Sequence, residues 1–221
     1  MDGAPASASD RAAATRIVVL LRPAVHAVPD AESMVGGRTA QLIDTQDTAT
    51  RDRNVIAMVE GADPALKDEV VIVSAHYDHE GADGRTIYNG ADDNGSGTVA
   101  LLEIADAYAM AAAAGERPRR TVLLACWGSE ERGPLLGAWA YTEQPTRPLE
   151  QTVAVLNMDM VGHSDKNELY ASGSYHNPFL KPYIEPLVKD AKVKLLFGHD
   201  TPEQKRDDWT FQSDHGSFHR E

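Results

Sequence analysis

Two aspartates stand side by side in the stretch YNGADDNGSG, residues 88 to 97, and an asparagine and two glycines follow within four residues. Adjacent carboxylates repel, so Asp92 and Asp93 require something positive nearby: a capping backbone, a basic side chain or a metal ion. Residues of the same chemical kind follow three apolar runs. His76, Asp78 and His79 lie in AHYDHEG, Glu130 and Glu131 in WGSEERG, and Asp159 in LNMDMVG. Taken singly, each has an ordinary explanation. A histidine at a strand end is usually just hydrogen-bonded, paired glutamates are mostly solvated loop charges, and Asp92 with Asp93 would cap a helix and place an acid in its first turn. Taken together these explanations conflict, because acids converging on one rim without a cation would each suffer a raised pKa and mutual repulsion. A divalent metal removes the conflict. Carboxylates and neutral imidazoles suit zinc, with manganese or cobalt as substitutes. Four or five ligands sharing one carboxylate would hold two ions about 3.5 to 4 Å apart, a spacing that clamps a water nucleophile and a polarised carbonyl. The glycines after the acidic pair let backbone approach such a site closely.

The elements that must position these side chains are readable as apolar runs. Strands are expected at 15 to 21 (TRIVVLL), 54 to 60 (NVIAMVE), 69 to 75 (EVVIVSA), 121 to 127 (TVLLACW) and 152 to 158 (TVAVLNM). The last three are continuously apolar and valine-rich, as central strands covered on both faces should be. Between them, Leu101, Ile104, Ala105 and Tyr108 recur at helical spacing within 97 to 115, and Gly115 stops the run. A second helix is expected at 178 to 192, shortened or kinked by Pro182 and Pro186. Alternating strands and helices imply an α/β fold with a largely parallel sheet and helices on both faces. In such sheets ligands bind at the carboxyl ends of the strands, where the acids and the histidine gather.

The 221 residues suffice for one large α/β domain or two small ones. Residues 1 to 50 read as an N-terminal segment, its first ten residues a disordered end and its remainder an accessory strand pair or the remnant of a preceding segment, and 34 to 46 could pair with 54 to 60 as a hairpin. Residues 51 to 221 read as the functional domain. Lys and Arg total 21 against 34 Asp and Glu, a formal charge of -13 that repels nucleic acid and anionic membranes. The early apolar cluster IVVLL, 17 to 21, is too short for a secretory core or a membrane span. The single cysteine, Cys126, lies in an apolar run and reads as a packing thiol.

The motifs HYD (76 to 78), NGADDNGSG (89 to 97), SEERG (129 to 133), LNMDMVG (156 to 162) and SDHGSF (213 to 218) together resemble the M28 family of zinc aminopeptidases, in the family's order and over roughly residues 54 to 218. The resemblance implies a three-layer, mixed but largely parallel sheet of the zinc-exopeptidase type. It implies that His76 and Asp159 ligate one zinc, that Glu131 and His215 ligate the other, and that Asp93 bridges both. Glu130 would then be the general base that takes a proton from water during attack on a peptide carbonyl. Asp78 would accept a hydrogen bond from the other nitrogen of His76. A cis peptide bond is implied after Asp93, and Asp92 is left as helix cap or outer acid. The implied substrate is a peptide, and the family suggests a secreted or periplasmic setting, although this chain carries no signal peptide. Two departures stand out. Pro134 follows Glu131 where the family runs into leucines, which would displace that loop by a residue, and the chain stops six residues after His215, where a further strand and helix are expected. Aminopeptidase action is the leading expectation. Beside it stand a related amidohydrolase or carboxypeptidase and a non-catalytic member acting as a binding module.

Overall fold

The computed structural model describes residues 54–131 and 135–219. The strand expected at 15 to 21, the hairpin partner at 34 to 46 and Pro134 lie outside the described residues. In chain order the elements are β1 (Val55–Val59), β2 (Val70–His76), β3 (Gly81–Asp83), β4 (Thr86–Tyr88), α1 (Gly95–Ala113) and β5 (Thr121–Trp127). There follow α2 (Leu136–Glu143), β6 (Thr152–Asn157), β7 (Glu168–Ala171), α3 (Lys181–Val188), β8 (Lys194–Phe197) and α4 (His215–His219).

Among the described residues, four strands form the central sheet in the order β1-β5-β2-β6. β2 pairs in parallel with β5 and with β6, while β1 runs antiparallel along β5, so the sheet is mixed and largely parallel. Side chains of β5 alternate between two cores, as the period of two along a strand requires. Val122, Leu124 and Cys126 meet Leu101 and Ala105 of α1 on one face. Leu123, Ala125 and Trp127 meet Ala138 and Tyr141 of α2 and Phe218 of α4 on the other. Leu101, Leu123 and Leu124 are fully buried, and each such side chain stabilises the fold by about 1.5 to 3 kcal/mol. Helices therefore cover both faces, which is the expected three-layer arrangement.

The apolar run of β6 had suggested a central strand. Among the described residues it is instead an edge strand, with Val153 39% and Leu156 44% exposed. Apolarity alone does not tell a covered edge from a paired one. The expected helix at 178 to 192 narrows to α3 after a short 3-10 turn at Pro178–Leu180. Pro182 falls in its first turn, where a missing N–H is harmless, and Pro186 lies inside it. No helix among the described residues is long and apolar enough to cross a membrane.

The registers matter most for the site. His76 stands opposite Trp127 and Ser74 opposite Asn157, so the carboxyl ends of β5, β2 and β6 share one rim.

Candidate metal centre

His76 is the last residue of β2 and is fully buried. Its Nε2 lies 3.2 Å from Asp93 Oδ1 and 3.4 Å from Asp159 Oδ1. Nε2 of His76 and Oδ1 of Asp159 are closed to solvent, and neither makes a hydrogen bond. Buried polar atoms left this way are costly unless another partner takes them up. Two groups of side chains converge here, His76 with Glu130 and Asp159, and His76 with Asp93 and Glu131, the ligand atoms within each group lying within 4.8 Å of one another. One imidazole and four carboxylates so grouped, with His76 Nε2 and Asp159 Oδ1 left without hydrogen bonds, fit divalent cations.

Of the acidic pair, Asp93 enters the centre and Asp92 does not. Asp92 Oδ1 accepts the Gly162 N–H at 2.9 Å and its carbonyl accepts the Ser96 hydroxyl at 2.8 Å. The helix cap expected of Asp92 belongs to Asn94, whose side chain accepts the Gly97 N–H at 3.0 Å. The bond between Asp93 and Asn94 is cis, as the resemblance implied.

Asp78 meets the other nitrogen of His76 through its main chain. The Nδ1 of His76 is 3.1 Å from the Asp78 main-chain oxygen, while the Asp78 carboxylate stands 3.7 Å away. That carboxylate accepts the N–H groups of Glu130, at 3.0 Å, and Glu131, at 3.2 Å. The main-chain carbonyl thus fixes the ring, and the side chain is turned to the loop after β5.

His215 is placed differently. Its Nε2 lies 2.9 Å from the Trp209 carbonyl oxygen and it belongs to neither group of prospective ligands. That bond makes Nε2 the N–H donor and leaves the lone pair of the neutral ring on Nδ1, the same division of roles that orients His76. The structure brings His76, Asp93, Glu130, Glu131 and Asp159 together, and leaves His215 beside them.

Two residues of the site were not singled out from the sequence. Asp214 is fully buried, both its carboxylate oxygens lack hydrogen bonds, and burial pushes its carboxyl up to about 8. Asn157 links Ser74, whose hydroxyl donates to it at 2.8 Å, with Ser213, whose hydroxyl accepts its amide at 2.9 Å. An acid between a serine and a histidine just ahead of a helix was the available signal for Asp214.

Charge at the centre is unbalanced without a cation. Burial disfavours the charged imidazole of His76, but the carboxylates of Asp159, Asp78 and Glu130 outweigh it and raise its pKa to about 11. Burial, aided by Asp159, pushes Glu130 up to about 7. Burial and the neighbouring Asp93 push Glu131 up to about 7. Asp93 is raised by burial and by Asp159. Burial works against the ionised Asp159 as well, yet His76 and Ser213 hold it below the usual carboxylate range.

Other sequence expectations are simpler to place. His79 lines the cleft beside the centre, where its Nδ1 accepts the Gly81 N–H at 2.9 Å. Trp209 stacks on His199 at 3.8 Å. Cys126 is 2% exposed and burial raises its thiol to about 12, as a packing thiol requires.

The chain belongs to peptidase family M28, whose model matches residues 54–221. It is 38% identical over 109 residues to the aminopeptidase NAALADL1 of Mus musculus, covering 48% of this chain and 13% of that protein. A probable glutamate carboxypeptidase of Arthroderma benhamiae is 33% identical over 132 residues, covering 59% of this chain and 17% of that protein. The chain thus spans less than a fifth of the length of these relatives. The aminopeptidase of Aneurinibacillus sp. strain AM-1 shares the fold with a TM-score of 0.54 at 22% identity, over 76% of this chain and 36% of that one. LapB of Legionella pneumophila does so with a TM-score of 0.52 at 18% identity, over 98% and 54%.

Proposed function

We propose that the chain hydrolyses peptide bonds as a zinc-dependent aminopeptidase, with two ions held among His76, Asp93, Glu131 and Asp159 and with Glu130 as general base. The observation that carries this reading is the buried, unbonded Nε2 of His76 facing the carboxylates of Asp93 and Asp159 at 3.2 and 3.4 Å. Zinc suits this donor set, and manganese or cobalt would substitute. When bound, the ions supply positive charge that polarises a carbonyl and acidifies water.

The chain's own groups do the rest. Glu130, with its loop held by Asp78, takes the proton from water as the oxygen attacks the peptide carbonyl, and returns it to the departing amine. His76 must be neutral to offer Nε2, and its Nδ1–H then donates to the Asp78 carbonyl at 3.1 Å.

Aminopeptidase action is favoured over carboxypeptidase action by the wall of the cleft. An open space of ≈ 270 Å³ beside Asp93 and Glu131 is lined by Glu80 and Asp92, with His79 and Tyr88. Negative charge there attracts a free α-ammonium group and repels a terminal carboxylate. The likeness to a glutamate carboxypeptidase keeps the second reading in play.

Zinc stoichiometry with an anomalous diffraction map, joined to hydrolysis of free-amine and N-acetylated peptides, tests the proposal. Two peaks beside Asp93 and turnover of the free-amine peptide alone are expected. Equal turnover of blocked and free peptides overturns the aminopeptidase assignment, and an absence of metal overturns the mechanism.

A further inference from the structure

We propose that Asn94 is a positioning residue: its side chain fixes the separation of the Asp93 and Asp159 carboxylates and thereby sets how tightly the centre takes its metal. This inference rests on the metal reading above and adds to it the device that assembles the centre before an ion arrives.

Asn94 is 2% exposed, and both its side-chain oxygen and its side-chain nitrogen are hydrogen-bonded. Oδ1 accepts the Gly97 N–H at 3.0 Å, which caps α1. The same oxygen accepts the Met160 N–H at 3.3 Å, and Nδ2 donates to the Met158 carbonyl at 2.9 Å. The amide therefore clasps the residues on either side of Asp159, while its own backbone continues directly from Asp93. One planar group joins the two carboxylates that face His76.

Neighbouring residues reinforce the clasp. Ser96 Oγ accepts the Val161 N–H at 3.0 Å, and Asp92 Oδ1 accepts the Gly162 N–H at 2.9 Å. Residues 158 to 162 are thus pinned to the turn at 92 to 97 from both sides of Asp159. Little room is left for the amide to swing, since a Cβ at Gly97 would overlap Asn94 Oδ1 and the Met158 carbonyl. Asp93 and Asp159 both approach one imidazole nitrogen, and two such anions would part unless backbone held them. A helix cap alone needs only the bond to Gly97. The bonds to 158 and 160 need another reason, and holding Asp159 supplies it.

Serine is a good helix cap but has no amide donor and too short a reach for both flanks, so Asn94→Ser separates capping from clasping. In the full chain, zinc affinity is measured by competition with a chelator, and the visible spectrum of the cobalt-loaded protein reports ligand geometry. Asn94→Ser with wild-type circular dichroism is expected to bind zinc about 10- to 100-fold more weakly and to give an altered cobalt spectrum. Ser96→Ala, which loosens the same clasp at Val161, is expected to shift both readouts in the same direction by a smaller factor, and it decides the matter if Asn94→Ser does not fold. Wild-type zinc affinity and cobalt spectrum in the folded variant overturn the positioning role alone. Wild-type protein that takes up neither metal overturns the metal reading, and this inference falls with it.

Discussion

The carboxylate of Asp78 accepts the main-chain N–H of Glu130 at 3.0 Å. With the second bond to Glu131, this ties the loop after β5 to the loop after β2, across the rim on which the centre is built. Asp78 also supplies the carbonyl against which the His76 ring is set. One residue therefore orients a prospective ligand with its backbone and the prospective base with its side chain.

Asp78→Asn tests this arrangement. The amide keeps one acceptor oxygen and loses the other, and the loop gains a donor it has no use for. Steady-state kinetics on a free-amine peptide should show kcat reduced by about 10- to 100-fold, the range for losing an outer partner of a metal ligand, with KM little changed. A rise in KM at unchanged kcat would mean that Asp78 acts on substrate binding instead.

Glu130 is geometrically able to join His76 and Asp159 around an ion, and it is also the proposed base. Glu130→Gln separates the two roles, because glutamine has no proton-accepting carboxylate. The variant should lose about 10²- to 10⁴-fold in kcat while retaining the zinc content of the parent protein. Loss of zinc in step with activity would make Glu130 a ligand.

His215 holds the Trp209 carbonyl through Nε2 and keeps the lone pair of Nδ1, and His215→Gln separates a structural from a ligand role. If the ring serves chiefly to hold the Trp209 carbonyl, the change costs about 1 to 3 kcal/mol of stability in chemical denaturation, the range for a buried hydrogen bond left unmade. Zinc stoichiometry should stay at the parent value. A variant of unchanged stability that has lost an ion would make His215 a ligand.

How far the sequence could be read follows from the range of each interaction. β2 and β5 were legible because strands buried on both faces must be apolar throughout, and α1 because its buried Leu101 and Ala105 repeat at helical spacing. β3 and β4 are three residues each, and β7 and β8 four, too short to carry a period. Asp159 was legible as an acid past a strand end, and Asp93 as one of an acidic pair opening a helix. Asn94 was not, since an asparagine before a helix already has a sufficient local role, and its bonds to Met158 and Met160 span more than sixty residues. His215 was legible through its motif alone. The motif SDHGSF supplied the residue type but not the direction of its ring, which Trp209 decides.

The protein stripped of zinc should become less stable as pH rises from 7 to 9. Burial raises Glu130 and Glu131 to about 7 and Asp214 to about 8, and the carboxylates around His76 raise it to about 11 in spite of burial. A group whose folded pKa lies above its unfolded value contributes stability that is complete below the unfolded value and is lost as pH climbs through the folded one. All four groups lose their contribution in the same direction across this window. Opposing groups act elsewhere: Asp78 and Asp159, whose pKa values are lowered, lose theirs only in acid, and so does His215, whose imidazole burial holds below its usual value. Thermal unfolding in chelator should therefore show a Tm that falls from pH 7 to pH 9, with a shallower fall in Asp214→Asn. Added zinc should flatten the profile, because it stabilises the ionised carboxylates and the neutral imidazole that the empty fold disfavours. A Tm that rises with pH in the stripped protein would show that these carboxyl groups are not raised, and with that the case for a cation at their centre would lose its electrostatic support.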